Sequence, residues 1–572
     1  MNSKPISAKF VRRLLSPVGD SSNSSGSTSG LPDYQKSGIT MGLYALIAVS
    51  SLYISLICNA AFYSHLLAIY PLNGENTLFL GSTVALSWGL NSLLLSAIVW
   101  RFNAKALLAF MVVACVAISY FSLSYGVVFN DEIIASILQT DSKEALELVN
   151  AQLIVFVAVF GLIPAAAIYR VRIKSSPWQA SLMARCITIV ASLGMVTVSL
   201  FVFSDRYAIF FREHKEIRYY QIPFYPLYSA IKVAGSTEAG DHELQPILED
   251  AHRIRGTIPK LVVLVVGETV RSDHFSLNGY HRPTNPRTSK TENLYSYDNV
   301  TSCATSTAYS LPCMFSITPR QEFDHAEAAY TENVLDVLQR LKVSVLWRDN
   351  NSDSKGVALR VPYEDYRNPD NNPACDTECR DIGMLSGLPD YIDSREGDTL
   401  IVLHQMGNHG PAYARRYPAT FQGFTPACNS TELAKCSHEE IQNAYDSSIL
   451  YTDYFLAETI EILKQYQDRY DTTLIYVGDH GESLGENGVY LHGLPFAIAP
   501  EEQKHIPLIV WLGDRSGADM SNFDARRSLP FSHDEVSFTL LDMFGVKSDT
   551  LVGASKLLYK TLDNNTSVAN AF

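Results

Sequence analysis

The chain is polar up to about residue 38, apolar in long blocks to about residue 204, and from there alternates short apolar runs with polar stretches. The long blocks fall at about 41–63, 77–100, 106–128, 149–169 and 186–204, each near the ~20 residues a helix needs to cross ~30 Å of hydrocarbon. Five membrane spans are predicted. The first block is too long and begins too far from the terminus for a cleaved signal segment. The leader, with its run "GDSSNSSGSTSG", cannot bury enough surface to fold alone and is expected to be disordered.

Lys and Arg sort between the two sides of these spans. The leader has Lys4, Lys9, Arg12, Arg13 and Lys36, the second loop Arg101 and Lys105, and the fourth Arg170, Arg172, Lys174 and Arg185. The first loop has none, and the third, "FNDEIIASILQTDSKEALEL", has one Lys among several acids. Because cytoplasmic loops are enriched in basic residues, the leader is expected in the cytoplasm and everything after the fifth span outside it. Cysteine spacing gives a second indication of the same kind. Cys58, Cys115 and Cys186 fall in or beside spans, whereas Cys303 and Cys313, Cys375 and Cys379, and Cys428 and Cys436 lie as close pairs in the polar half. Close pairs outside the cytoplasm are predicted to be disulfides, and a zinc ribbon is disfavoured for want of repeated C-x₂-C spacing. Loops this short gain at most ~3 kcal/mol each from closure.

After an aromatic and basic stretch suited to a membrane surface, β-branched apolar runs alternate with helical segments: "KLVVLVVGE", "VSVLWRDNN", "TLIVLHQMGNHG", "TLIYVGDHGE" and "IPLIVWLGD". Continuous apolar strands joined by helices near Thr331–Leu341 and Ser437–Tyr466 predict a mostly parallel sheet in an α/β domain. Each of the first four runs ends in polar residues: Glu268, Asp349 to Asn351, Asn408 with His409, and Asp479 with His480. In open α/β sheets ligands bind beyond the carboxyl ends of the strands, so these clusters are expected to share one rim. Carboxylates and imidazoles together are the ligand set of Zn²⁺ or Mn²⁺. The stapled segment "SCATSTAYSLPC" is rich in small hydroxyl residues and would offer a nucleophile to such a metal. Composition leaves Thr305, Ser306, Thr307 and Ser310 equal candidates, each also suited to capping a helix start. With 59 Asp and Glu against 45 Lys and Arg, a net charge of −14, nucleic acid is an unfavourable partner.

The motifs "VVGETVRSDHFSLNGYHRPTNP", "SCATSTAYSLPCMFS", "WRDNNSDSKG", "MGNHGPAY" and "YVGDHGESLGENGVYLHG" resemble those of the lipid A phosphoethanolamine transferases, which include the mobile colistin-resistance enzymes. The resemblance runs from about residue 40 and leaves only the Ser/Gly-rich leader unmatched. It implies an alkaline-phosphatase-like (sulfatase-like) α/β domain on five transmembrane helices. The expected divisions are a cytoplasmic tail 1–38, a membrane domain 39–204, an interfacial linker 205–258, a periplasmic catalytic domain 259–560 and a tail 561–572. By resemblance Thr307 is the nucleophile, and Glu268, Thr307, Asp479 and His480 hold the principal Zn²⁺, one or two ions in all. His409 and His492 face the phosphoryl group or hold the further zinc. Asn351 and Lys355 match phosphoethanolamine-contacting positions, as do Thr140 and Glu144 in the third loop, while Ser136 stands where the family has Asn. The implied reaction is two in-line displacements: phosphoethanolamine passes from phosphatidylethanolamine to Thr307, then to a lipopolysaccharide acceptor, which lowers surface negative charge and confers polymyxin resistance. The implied setting is a multi-pass protein of a Gram-negative inner membrane, acting as a monomer.

Three other readings fit the sequence less well. A sulfatase needs a Cys-x-Pro-like context for its formylglycine, and Cys303 is followed by Ala-Thr-Ser. A lipoteichoic-acid-synthase-like glycerolphosphate transferase shares the layout but lacks the paired cysteines and "MGNHGP". A non-catalytic membrane sensor is disfavoured by the intact Glu, Thr, Asp and His set.

Overall fold

The computed structural model describes residues 39–140, 142–237, 243–518, 520, 523–551 and 558, without the side chains of 142–144 and 236–237. The expected tails 1–38 and 561–572 therefore lie outside the described residues.

Among the described residues, four helices are long and apolar enough to span a membrane: Thr77–Ile98, Ala104–Tyr125, Ala151–Arg170 and Trp178–Val202. The first predicted span is different. It consists of helical segments Leu43–Cys58 and Ala60–Ile69, bent by 57° at their junction. Asn59 occupies the bend, and its buried amide group is fully used there. Its Nδ2 donates to Ile54 O (3.0 Å) and Ile222 O (2.7 Å), and its Oδ1 accepts from Ile222 N (2.8 Å). A backbone break inside an apolar helix leaves polar groups that need partners. Here one side chain supplies them while fastening the segment that leads to the polar half.

The α/β domain is built on eight strands: β1 (Lys260–Gly267), β2 (Leu294–Thr301), β3 (Ser344–Asp349), β4 (Tyr363–Asp365), β5 (Thr399–His404), β6 (Asp471–Gly478), β7 (His505–Leu512) and β8 (Phe531–Ser532). They lie in the order β8-β2-β7-β6-β1-β5-β3-β4. All neighbours are parallel except at β7, which runs antiparallel to both β6 and β2. Seven strands thus end at one rim, and β7 begins there. Successive residues of β1 serve opposite layers: Val262, Leu264 and Val266 pack in one core, Leu261, Val263 and Val265 in the other. Burial on both faces explains the unbroken apolar runs, each large side chain contributing about 1.5–3 kcal/mol.

Three helices matter to the site: α1 (Asp131–Gln139) in the loop between the third and fourth spans, α2 (Thr307–Met314) after β2, and α3 (His438–Lys464) between β5 and β6. The start of α3 is fixed by a capping box, Ser437 with Glu440. The three expected disulfides, Cys303–Cys313, Cys375–Cys379 and Cys428–Cys436, are all formed, and Cys58, Cys115 and Cys186 are free thiols.

Candidate active site

The carboxyl ends of β1 and β6 are adjacent, so Glu268 and Asp479 emerge side by side, with His480 next in the chain. Ligand atoms of these three buried residues lie within 4.8 Å of one another. β2 delivers the stapled loop to the same rim, where α2 begins at Thr307. Thr307 Oγ1 donates to Glu268 Oε2 at 3.0 Å and lies 3.2 Å from His480 Nε2. The four candidate hydroxyls now separate. Thr305 donates to Leu494 O at 2.6 Å and lies 3.1 Å from Glu132 Oε2; Ser306 faces Glu132; Ser310 bonds the Asp479 carbonyl. Thr307 is the one of these four whose hydroxyl meets the Glu268, Asp479 and His480 cluster. The alternative role of helix cap does not hold for Ser306, whose backbone sits at the N-cap while its side chain makes no capping bond.

Each cluster residue is oriented by a second partner. Asp479 Oδ1 accepts from the amides of Thr269 (2.9 Å) and His480 (2.7 Å), leaving Oδ2 buried without a hydrogen bond. His480 Nδ1 donates to Gly481 O at 2.9 Å, which leaves the Nε2 lone pair available to a metal. Asn351 Nδ2 bridges Glu268 Oε2 (2.7 Å) and Gln405 O (2.8 Å). Gly407, at φ 53°, lets the loop after β5 lie against Glu268, since a Cβ there would come within 2.8 Å of Glu268 O. Burial pushes Asp479 up to about 7, and neighbouring Glu268 adds to the shift. Burial acts on Glu268 in the same sense, but the imidazoles of His480, His409 and His492 outweigh it and hold the carboxyl below its ordinary range. Two buried carboxylates, one with an oxygen lacking any donor, suit a divalent cation. Glu268, Asp479, His480 and the Thr307 hydroxyl fit the donor set of Zn²⁺.

The remaining expected residues lie at graded distances from this cluster. His492 stacks 4.3 Å from His480 between ring centroids, and His409 lies 5.7 Å from His492. Lys355 lines a cavity of about 460 Å³ beside α2, together with Gln139 at the end of α1, and its Nζ donates to Ser352 O at 2.8 Å. Ser136 and Thr140 stack at the end of α1, Thr140 Oγ1 donating to Ser136 O at 2.7 Å. The side chain of Glu144 lies outside the described residues.

Three site residues escaped the sequence reading. Glu482 bonds Tyr413 and holds His492 Nδ1 at 2.8 Å, and burial pushes its carboxyl up to about 8. His533 ties the stapled loop to β6. Glu132 reaches that loop from α1. Glu482 follows directly on the "GDHG" motif and was the most accessible to a reader, as a third acid on one rim.

A family model described as phosphoethanolamine transferase EptA/EptB matches residues 88–237, and a sulfatase model matches residues 260–546. Phosphatidylethanolamine transferase Mcr-1 of Escherichia coli is 42% identical over 523 residues, covering 88% of this chain and 95% of its own. The chain belongs to the phosphoethanolamine transferase family. Phosphoethanolamine transferase EptA of Salmonella typhimurium is another relative, 38% identical with 91% and 97% covered. Among solved structures, the integral membrane lipooligosaccharide phosphoethanolamine transferase A of Neisseria meningitidis superposes with a TM-score of 0.86 at 32% identity, covering 89% of this chain and 97% of that one. This family member is accordingly a multi-pass membrane protein carrying a sulfatase-like α/β domain, the architecture its sequence predicts.

Proposed function

We propose that this protein transfers phosphoethanolamine from phosphatidylethanolamine to lipid A, or to another sugar or phosphate of lipopolysaccharide, with Thr307 as the covalent carrier and the α/β domain in the periplasm. The observation that carries the reading is the buried constellation of Thr307 Oγ1 against Glu268 and His480, beside the unpartnered Asp479 Oδ2. Glu268, Thr307, Asp479 and His480 would hold a Zn²⁺ ion, which would supply Lewis-acid chemistry at the Thr307 hydroxyl and at the phosphoryl oxygens. In the first step Thr307 Oγ1 passes its proton to Glu268, the acceptor of its hydrogen bond, and the Oγ–P bond forms as the P–O bond to diacylglycerol breaks. His492, oriented through Nδ1 by Glu482, supplies the proton that leaves with diacylglycerol. In the second, the acceptor hydroxyl passes its proton to His492 as its oxygen bonds to phosphorus, and Thr307 Oγ departs, recovering its proton from Glu268. Asn351 keeps Glu268 aimed, and Lys355 serves as a cationic contact for the phosphoryl group. Ser136, Thr140 and Glu144 contribute to the donor site from the membrane side.

The basic loops support a cytoplasmic leader, and the three disulfides support an oxidising compartment for the α/β domain. Mass spectrometry of lipid A from cells expressing the protein tests the reading. A phosphoethanolamine increment that disappears in Thr307→Ala supports it; unmodified lipid A and core from cells with verified membrane expression refute it.

A further inference from the structure

The catalytic cluster is confined to the sheet rim, yet the loop that holds Thr307 is not anchored by the α/β domain alone. Glu132, on the first turn of α1, belongs to the membrane half of the chain. Its Oε2 lies 3.1 Å from Thr305 Oγ1 and 3.4 Å from Ser306 Oγ, the two residues immediately before Thr307. Ser306 stands at the N-cap of α2 with the backbone of a capping residue (φ −148°, ψ 146°), yet its hydroxyl turns to Glu132 and away from the helix amides. A Ser at this position ordinarily caps. α1 also packs against the loop bearing His492. Gly493, at φ 88°, follows that histidine, and a Cβ there would lie 2.3 Å from Ile133 Cδ1. Thr305 links the two loops, since its hydroxyl also donates to Leu494 O. The position of α1 is set in turn by Asn130, which caps it through Ile133 N at 2.9 Å, and by an ion pair between Asp131 and Lys232.

We infer that Glu132 is a positioning residue: as acceptor for the hydroxyl of Ser306 and close neighbour of Thr305, whose proton goes to Leu494 O, it holds the nucleophile loop in register with the carboxylate and imidazole cluster and makes that register depend on the seating of the membrane loop. The carboxyl touches neither the cluster nor the reacting atoms. Its action is to fix the two residues that precede Thr307, and with them the placement of the Thr307 hydroxyl against Glu268 and His480. The inference builds on the transferase reading and adds a residue and a coupling to it.

The test uses the full-length protein in phosphatidylethanolamine-containing micelles, with diacylglycerol release as the rate measurement and hydrogen exchange of peptides covering residues 302–313 as a substrate-free measurement. Glu132→Ala lowers kcat about 10- to 100-fold, the range expected for misplacing a nucleophile by up to an ångström, with KM changed less than about twofold. Exchange in 302–313 accelerates in the same variant. Glu132→Gln, whose amide oxygen still accepts from Ser306, recovers most of kcat, and Glu461→Gln, an exposed carboxyl of α3 with no part in seating α1, behaves as wild type. Ser306→Ala, removing one donor from the opposite side, lowers kcat in the same direction and serves as the substitute if Glu132→Ala does not fold. An unchanged kcat, a change confined to KM, a Gln variant as poor as Ala, or unaltered exchange would each overturn the inference. The exchange result stands without any substrate, so a wild-type chain that released no diacylglycerol would sink the transferase reading while leaving the role of Glu132 still judged.

Discussion

His533 offers a quantitative test of how the stapled loop is held. Its imidazole is fully buried: Nδ1 accepts from Cys303 N at 3.0 Å and lies 3.2 Å from Ser310 Oγ, and Nε2 donates to Gly478 O at 2.8 Å. A backbone amide can only donate, so the neutral tautomer with its proton on Nε2 is fixed. Adding a proton at Nδ1 would set N–H against N–H. Burial, with a smaller contribution from nearby His480, pushes this imidazole down from 6.5 to about 4. The unfolded chain therefore takes up a proton on this residue near pH 6.5, the folded chain only near 4. The stability it confers is complete above about pH 6.5 and declines as pH falls through that window. From these two values the loss is about 2 kcal/mol at pH 5 and about 3 kcal/mol at pH 4. His533→Gln removes the titration and costs about 1–3 kcal/mol at pH 7.5 through the buried groups it leaves poorly paired. Denaturant unfolding of wild type and variant, followed by near-ultraviolet circular dichroism at pH 7.5 and pH 5, isolates the effect, because all other titrations cancel in the difference. The gap between the two proteins should narrow by about 2 kcal/mol at pH 5. A gap independent of pH would refute the neutral-imidazole clamp.

Thr307→Ala should abolish transfer with an unchanged melting profile, and Thr305→Ala should retain measurable turnover; radiolabelled donor distinguishes them, and equal losses would contradict the assignment of the nucleophile. Asn351→Ala should weaken zinc retention about 10- to 100-fold by releasing Glu268, as loss of a ligand-orienting partner does in other metal sites, measured by competition with a chromogenic chelator. Peptide mapping without reduction should return Cys303–Cys313, Cys375–Cys379 and Cys428–Cys436; free thiols at those positions in protein from the membrane fraction would contradict the periplasmic placement as well.

Glu268, Asp479 and His480 were legible in the chain because buried parallel strands put their polar ends on one side, and the runs that end in these residues are continuous and β-branched. β2 was not, because "LYSYDNVT" carries polar residues along its length and resembles a loop in composition. The reversal of β7 is absent from its composition, since an apolar strand reads alike in either direction. The bend at Asn59 was hidden for a related reason: a single Asn in an apolar run is ordinary, and only its three bonds to Ile54 and Ile222 reveal the break. Glu132 escapes notice in the sequence because acids in a loop between two spans are usually solvated. Its partners lie more than 170 residues away in the chain, and no local pattern announces them.

The one reversed strand has a consequence for how this fold can diversify. A crossover between parallel strands must travel the length of the sheet, and altering it disturbs a layer of the core. The excursion from Asp479 to Lys504 leaves the rim and returns to it, because β7 starts where β6 stops. Gln503 closes the base of this excursion, its Nε2 bonding Ser483 Oγ (2.9 Å) and Leu491 O (3.0 Å), while Lys504 O receives the Ser302 amide at 2.8 Å. Insertions in its final stretch, 495–500, cost little beyond the slowly growing entropy of loop closure, roughly 0.6 kcal/mol per doubling of length. The first half of the excursion has no such freedom, since it carries Asp479, His480, Glu482 and His492 and pairs Ser483 and Leu484 with Leu491 and Tyr490; its last part, beyond Leu494, is where the surface beside the site can be reshaped without disturbing either the cluster or the main sheet.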